Sequence, residues 1–299
     1  MNVPHDEGAD PDEFGFLADN AREVGVAPGA VAPVRRVAVD SEAGAVSALV
    51  WGFGPPEVVF LHGGAQNAHT WDSTIISLGH DAVAFDLPGH GHSHWRADHD
   101  YLPDANARSL LGPLRALAPT AGTLVGMSLG GLTALRMVAS TPGLVERLVL
   151  VDITPGVTRE KAKAITDFTS GPESFASVDE VLERTIAFHP GRSVASLTRG
   201  VVHNTRTRPD GRVVWRWDSI RSHDAGHDFS PLWADVAALT VPTLLVRGLA
   251  SAVVDDDDVA RMRASCADLT VVDVPDAGHS VQGDDPVALA GAISDFARL

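Results

Sequence analysis

Six short, mostly apolar stretches recur along this chain, at residues 57–61, 81–86, 123–127, 147–153, 242–246 and 269–274. A strand that alternates apolar and polar residues can leave one face in water, whereas a continuous apolar run must be covered on both. The segments between them carry helical spacing. Residues 104–117 place leucines at 110, 111, 114 and 117, and residues 129–139 carry Leu129, Leu132, Ala134, Leu135 and Val138. Further helices are expected over 69–78, over 256–265, where the acidic run Asp255 to Asp258 favours a helix start, and over 286–299. Residues 34–39 and 44–51 read as a strand pair ahead of the series. Buried strands alternating with amphipathic helices predict an α/β fold, a mostly parallel sheet covered by helices on both faces.

The rhythm breaks between 155 and 239. No strong strand is legible there, and Phe168, Phe175, Phe188, Trp215, Trp217, Phe229 and Trp233 are scattered through the segment. Such an excursion is too long for a structureless loop. It is expected to form a helical cap inserted between two parts of one core, residues 34–154 and 240–299. Residues 1–33 are rich in Asp, Glu, Gly, Ala and Pro, and are expected to be a poorly ordered extension with one short helix within 13–23.

The chemistry is concentrated where strand 123–127 ends, at Gly126-Met127-Ser128-Leu129-Gly130-Gly131. A serine hydroxyl is a weak nucleophile at neutral pH and needs a base within reach and N–H donors for the developing oxyanion. A sharp turn from strand to helix supplies both exposure and the free N–H groups of a helix start, and the glycines let two backbone segments approach. Ser128 is therefore the candidate nucleophile and the Leu129 N–H one oxyanion donor. The second donor is expected from the loop His62-Gly63-Gly64-Ala65, at Gly64. His62 itself, at the end of a buried strand, is expected to fix that loop by hydrogen bonding. Gln66, His69 and Trp71 are candidate substrate contacts from the same loop, and Phe188, Trp215 and Trp217 are candidates from the cap, each against the plainer alternative of packing or loop support.

Among 13 histidines the best candidate base is His279, in Asp276-Ala277-Gly278-His279-Ser280, because it follows a strand and a small glycine turn. An imidazole in this role needs an orienting carboxylate. Asp152, directly at a strand end, is the favoured acid; Asp255 is the alternative, although it can equally cap the following helix. The turn Asp86-Leu87-Pro88-Gly89-His90-Gly91-His92-Ser93 holds an acid and two histidines, yet consecutive turn residues rarely converge on one ion. No metal and no cofactor are expected.

Taken in order, His62-Gly63-Gly64, the turn 86–93, Gly126-Met127-Ser128-Leu129-Gly130-Gly131 and Gly278-His279 resemble the α/β-hydrolase superfamily, its esterase, lactonase, haloperoxidase-like and carbon–carbon hydrolase group, over residues 35–299. The resemblance implies Ser128 as nucleophile, His279 as base, and Gly64 and Leu129 as oxyanion donors. It places the acid most often shortly after the strand ending at Val246, where this chain has Ser251. Some members carry it after the strand that here ends at Asp152.

The expected activity is hydrolysis of a small, mostly apolar carboxylic ester or lactone through an acyl-enzyme. Two rivals stay open: a carbon–carbon bond hydrolase of a diketone-like substrate, and a non-catalytic small-molecule receptor on the same fold. With 23 Lys and Arg against 39 Asp and Glu, a net charge of −16 argues against nucleic acid or an anionic membrane as partner. The single cysteine, Cys266, excludes an intrachain disulfide and a cysteine-rich metal site. The acidic start and the lack of a long apolar run lead to a cytoplasmic expectation, with a homodimer left open.

Overall fold

The computed structural model describes residues 12–219 and 227–299. An eight-stranded sheet forms its centre. Its strands are β1 (Val34–Ser41), β2 (Gly44–Trp51), β3 (Val58–Leu61), β4 (Ala82–Phe85), β5 (Thr123–Met127) and β6 (Arg147–Val151). Two more, β10 (Thr243–Gly248) and β11 (Leu269–Val274), follow after a long excursion that contains three short strands. The spatial order is β1-β2-β4-β3-β5-β6-β10-β11. Strand β2 runs antiparallel to both of its neighbours, and every pair from β4 to β11 is parallel. The central ends at Leu61, Met127, Val151 and Gly248 consequently lie side by side along one edge of the sheet.

The alternation of side chains along each strand divides the core in two. Val59, Leu61, Val83, Phe85, Leu124, Leu148, Leu150 and Leu245 face one way. They meet α3 (Pro103–Leu117), α4 (Leu129–Ser140), α8 (Trp233–Ala238) and α9 (Asp256–Ser265) through Leu110, Leu135, Val236 and Met262. Val58, Phe60, Val125, Val149, Val151, Leu244 and Val246 face the other way. They meet α1 (Leu17–Glu23), α2 (Asp72–Leu78) and α11 (Pro286–Ala297) through Ala21, Ile75 and Ile293. Each of the larger of these side chains contributes on the order of 1.5–3 kcal/mol on leaving water, which fixes the register of the strands and with it the position of their ends.

The expectation of a poorly ordered extension is corrected for residues 12–33. Helix α1 packs on α2 with Ala21 fully buried, and Glu13 is tied to Arg36 and His69. The low apolar content that suggested disorder is offset by this buried charge pairing, which composition does not reveal. Residues 1–11 lie outside the described residues.

Between β6 and β8 lie α5 (Lys163–Thr169), β7 (Ser174–Phe175), α6 (Val178–Phe188) and α7 (Val194–Asn204). The excursion also holds a small antiparallel sheet, β7-β9-β8, with β8 at Thr205–Thr207 and β9 at Val213–Trp215. The expected helical excursion thus carries strands as well, each only two or three residues long and too short to give a period. Phe175, Val181, Val201, Val213, Trp215 and Trp217 form its own apolar cluster, and Ala65 of the core packs against it. A last short helix, α10 (Val281–Asp284), precedes α11. Among the described residues no helix is long and apolar enough to cross a membrane.

Candidate active site

Strand β5 turns into α4 at Ser128, whose φ of 51° and ψ of −121° lie in a region that L residues rarely occupy. The turn is held by backbone proximity. A Cβ on Gly126 would stand 2.4 Å from the Gly130 carbonyl oxygen, and one on Gly130 would stand 2.3 Å from that of Leu61. Only glycine permits α4 to begin in contact with both β5 and β3. The Leu129 N–H, at the first position of α4, has no intrahelical acceptor.

Asp152 follows β6 and is fully buried, with φ at 48°. Its carboxylate accepts three hydrogen bonds: from the Gly248 N–H at 3.1 Å, from Ser251 Oγ at 2.5 Å and from His279 Nδ1 at 2.8 Å. The last fixes the imidazole with Nδ1–H toward the carboxylate and leaves Nε2 as the basic nitrogen. Asp255 is engaged elsewhere. It is the N-cap of α9, forms a capping box with Asp258 and pairs with Lys161 at 2.8 Å, so Asp152 is the acid that meets the imidazole.

The loop after β3 lies against Ser128. A Cβ on Gly63 would stand 3.2 Å from Ser128 Cβ, and one on Gly64 would stand 4.0 Å from the Leu129 side chain. His62 Nε2 accepts from the Leu87 N–H at 2.9 Å, so its Nδ1–H donates to the Gly63 carbonyl at 2.7 Å. Burial, helped by the nearby His90, pushes this imidazole down to about 3, which keeps it neutral and in that tautomer. The Gln66 N–H also donates to the Gly63 carbonyl. In a trans peptide the N–H points opposite to the C=O. Anchoring the Gly63 carbonyl therefore turns the Gly64 N–H to the other side.

The remaining sequence candidates divide. Gln66 stands in the site: its Oε1 accepts from the Gly63 N–H at 3.0 Å and its Nε2 donates to Ser280 Oγ, beside His279, at 3.4 Å. Trp71 does not, being fully buried in the core with its ring 5.0 Å from that of Phe60. His69 is also turned away, bonded to Asp72 and Glu13 and stacked on His203 at 3.7 Å. Ligand atoms of His69, Asp72 and His203 lie within 4.8 Å of one another. Arg36 stands 3.4 Å from His69 Nε2, and face-to-face rings do not aim their in-plane lone pairs at one point. Phe188 stacks on Phe168 at 4.4 Å, Trp215 on Trp217 at 5.8 Å, and both tryptophans are buried, so these aromatics hold the excursion together. The turn 86–93 is likewise structural. Burial would raise the Asp86 carboxyl, but Arg36 at 2.7 Å together with His92 and the Ala68 N–H holds it below the usual carboxylate range.

Sequence reasoning missed Ser251 as a partner of the acid. Its signal was there, a hydroxyl standing where related chains most often carry the carboxylate.

Residues 58–292 match the model of the alpha/beta hydrolase family. The chain belongs to the α/β-hydrolase family. This hydrolase is 48% identical over 291 residues to the esterase Rv0045c of Mycobacterium tuberculosis, covering 95% of each chain. A solved structure of that esterase superposes with a TM-score of 0.88 at 45% identity, over 97% of this chain and 100% of the other. A 2-(acetamidomethylene)succinate hydrolase of Mesorhizobium japonicum is 29% identical over 81% of this chain and 87% of its own. The eight-stranded sheet, the elbow at Ser128 and the sequence likeness agree that the protein is a hydrolase of this fold.

Proposed function

We propose that this hydrolase cleaves small, mostly apolar carboxylic esters and lactones through an acyl-enzyme on Ser128. The observation that carries the reading is the hydrogen bond of 2.8 Å between His279 Nδ1 and the buried Asp152, on loops beside the Ser128 elbow. In this reading His279 Nε2 takes the Ser128 hydroxyl proton as Oγ attacks the ester carbonyl. The tetrahedral oxyanion accepts from the N–H groups of Gly64 and Leu129. Collapse breaks the bond to the alcohol, which leaves with the proton from His279. Water, deprotonated by the same imidazole, then attacks the acyl group, releases the acid and returns the proton to Ser128. Asp152 stays ionised and holds the imidazole through both halves. The excursion at 155–239 serves as the cap over this site. The esterase activity named for the M. tuberculosis relative supports the same reading.

The test is turnover of p-nitrophenyl acetate and butyrate and of simple lactones, with covalent labelling by a fluorophosphonate. Labelling should map to Ser128 and disappear in Ser128→Ala together with turnover. Folded protein that is not labelled at Ser128 overturns the reading. Labelling with cleavage only of a diketone replaces ester hydrolysis by carbon–carbon hydrolysis, and tight small-molecule binding with neither labelling nor turnover makes the protein a receptor.

A further inference from the structure

Two polar side chains of the excursion reach down to the two loops that carry the site. Asn204, the last residue of α7, donates from Nδ2 to the Ala65 carbonyl at 2.6 Å and accepts at Oδ1 from Asn67 at 3.2 Å. Ala65 sits at φ 59°, a conformation that costs a non-glycine residue on the order of 1 kcal/mol or more and persists only where its surroundings hold it. Arg192, between α6 and α7, donates from Nη2 to the Ser280 carbonyl at 3.0 Å and from Nε to Asp284 at 2.6 Å. Asp284 in turn accepts the Gly278 N–H at 2.9 Å. Asn204 thus grips the loop that presents Gly64, and Arg192 grips the residues on either side of His279. Gln66, between Gly63 and Ser280, joins the two loops across the site. A cap that only covered a pocket would need apolar contact and would have no use for hydrogen bonds to these particular carbonyls.

We infer that Asn204 and Arg192 are positioning residues through which the seated cap sets the Gly64 N–H and the His279 imidazole for acyl transfer. The inference rests on the proposed serine mechanism. When Asn204 lets go, the Ala65–Gln66 peptide is free to leave its strained conformation, and the Gln66 N–H in that peptide withdraws from the Gly63 carbonyl, whose anchoring orients the Gly64 N–H. When Arg192 lets go, the 278–284 loop loses its contact with the cap.

The experiment compares Asn204→Ala, Asn204→Asp and Arg192→Lys with the wild type and with Val194→Ala, an exposed residue of α7. It measures kcat and KM on p-nitrophenyl butyrate and the first-order rate constant of fluorophosphonate labelling at saturation. Loss of a whole oxyanion donor costs about 10²–10³ in kcat, so a misaimed one should cost about 10–100-fold. Both Asn204 variants should lose that much, Asp included, because it keeps the acceptor for Asn67 but cannot donate to Ala65. Arg192→Lys should lose about tenfold, since an ammonium cannot bridge Ser280 and Asp284 as the guanidinium fork does. KM should stay within about threefold and labelling should slow in step with kcat. Raised KM with kcat and labelling rate unchanged makes the cap a wall only, and overturns the inference. Arg192→Lys acts on the other loop and keeps the test open if Asn204→Ala does not fold. Wild type that is labelled at Ser128 yet cleaves no ester refutes the ester reading while the labelling rates still decide the inference; wild type that is not labelled overturns both.

Discussion

Asp152 and the 62–67 loop stand at the carboxyl ends of β6 and β3, the two parallel strands that flank β5, and they are held in opposite ways. Asp152 is fully buried, and its partners are Gly248, the last residue of β10, and Ser251 and His279 in the loops after β10 and β11. The loop after β3 is shorter of support from the sheet. It depends on His62 and Gln66 within the loop, on Asn204 of the 155–239 excursion, and on a charged cluster behind it that includes Glu13 near the N-terminus. The Asp152 side is therefore a property of the sheet, whereas the Gly64 side is assembled largely from segments outside it.

The largest test of this contrast is Asp152→Asn against Asp255→Asn. The first leaves His279 Nδ1 facing an amide and favours the wrong tautomer, so kcat should fall by about 10³–10⁴. The second keeps an N-cap acceptor, because Asn caps a helix about as well as Asp, and loses only a half-exposed ion pair with Lys161, worth about 1 kcal/mol or less, so kcat should stay within about twofold. Both variants are assayed on the same aryl ester well below their melting temperatures. Large loss in Asp255→Asn alone would break the assignment of the acid to the sheet side.

A smaller effect is expected for Ser251→Ala. The hydroxyl donates to the same oxygen as His279, at 2.5 Å, and hydrogen bonds to a charged group contribute about 1.5–3 kcal/mol. Asp152 keeps its other two partners, so the loss in kcat should be about three- to tenfold with KM unchanged. A loss as large as that of Asp152→Asn would make Ser251 a full member of the acid machinery and would sharpen the contrast further.

How much of this was legible follows the same division. Helices α3, α4 and α9 and all eight core strands were readable because burial on the sheet leaves a period in the sequence, and Ser128 and His279 were readable because they close such elements. Asp152 was readable as a strand end, though Asp255 competed until the capping box of α9 accounted for it. For Trp71 the packing alternative holds: an aromatic side chain has the same letter in a core as in a pocket, and its burial against Phe60 depends on where α2 packs. The strands of the excursion's small sheet are two or three residues long, below the length at which alternation shows. Arg192 and Asn204 each reach a backbone carbonyl far off in sequence, at separations of 88 and 139. No local pattern encodes such a contact.

A small expected effect on rate, and an informative one on stability, concerns Glu13. Burial opposes its ionisation, yet hydrogen bonds from His69 and Arg36 and their charges push its carboxyl down to about 2. Burial likewise opposes the charge on His69, but Asp72 and Glu13 push it up to about 9. A depressed carboxyl adds stability above its unfolded value near 4.5 that is lost as pH falls toward about 2. A raised imidazole adds stability below its unfolded value near 6.5 that is lost as pH rises through about 9. Both contributions are complete only between about pH 4.5 and 6.5. Glu13→Gln should therefore cost on the order of 1–3 kcal/mol near pH 5.5, read as a melting point lower by several degrees. The gap to wild type should narrow below pH 4, where the wild-type carboxyl progressively loses its own advantage. At pH 9.5 both proteins should be weakened, since Asp72 continues to hold His69 in the variant. Turnover at pH 7 should change by less than about threefold, because His62, Gln66 and Asn204 still hold the Gly63 and Ala65 carbonyls and the Gly63 N–H. A drop in kcat matching that of Asn204→Ala, with the melting point unchanged, would erase the distinction between the grip of Asn204 on the loop and the support behind it.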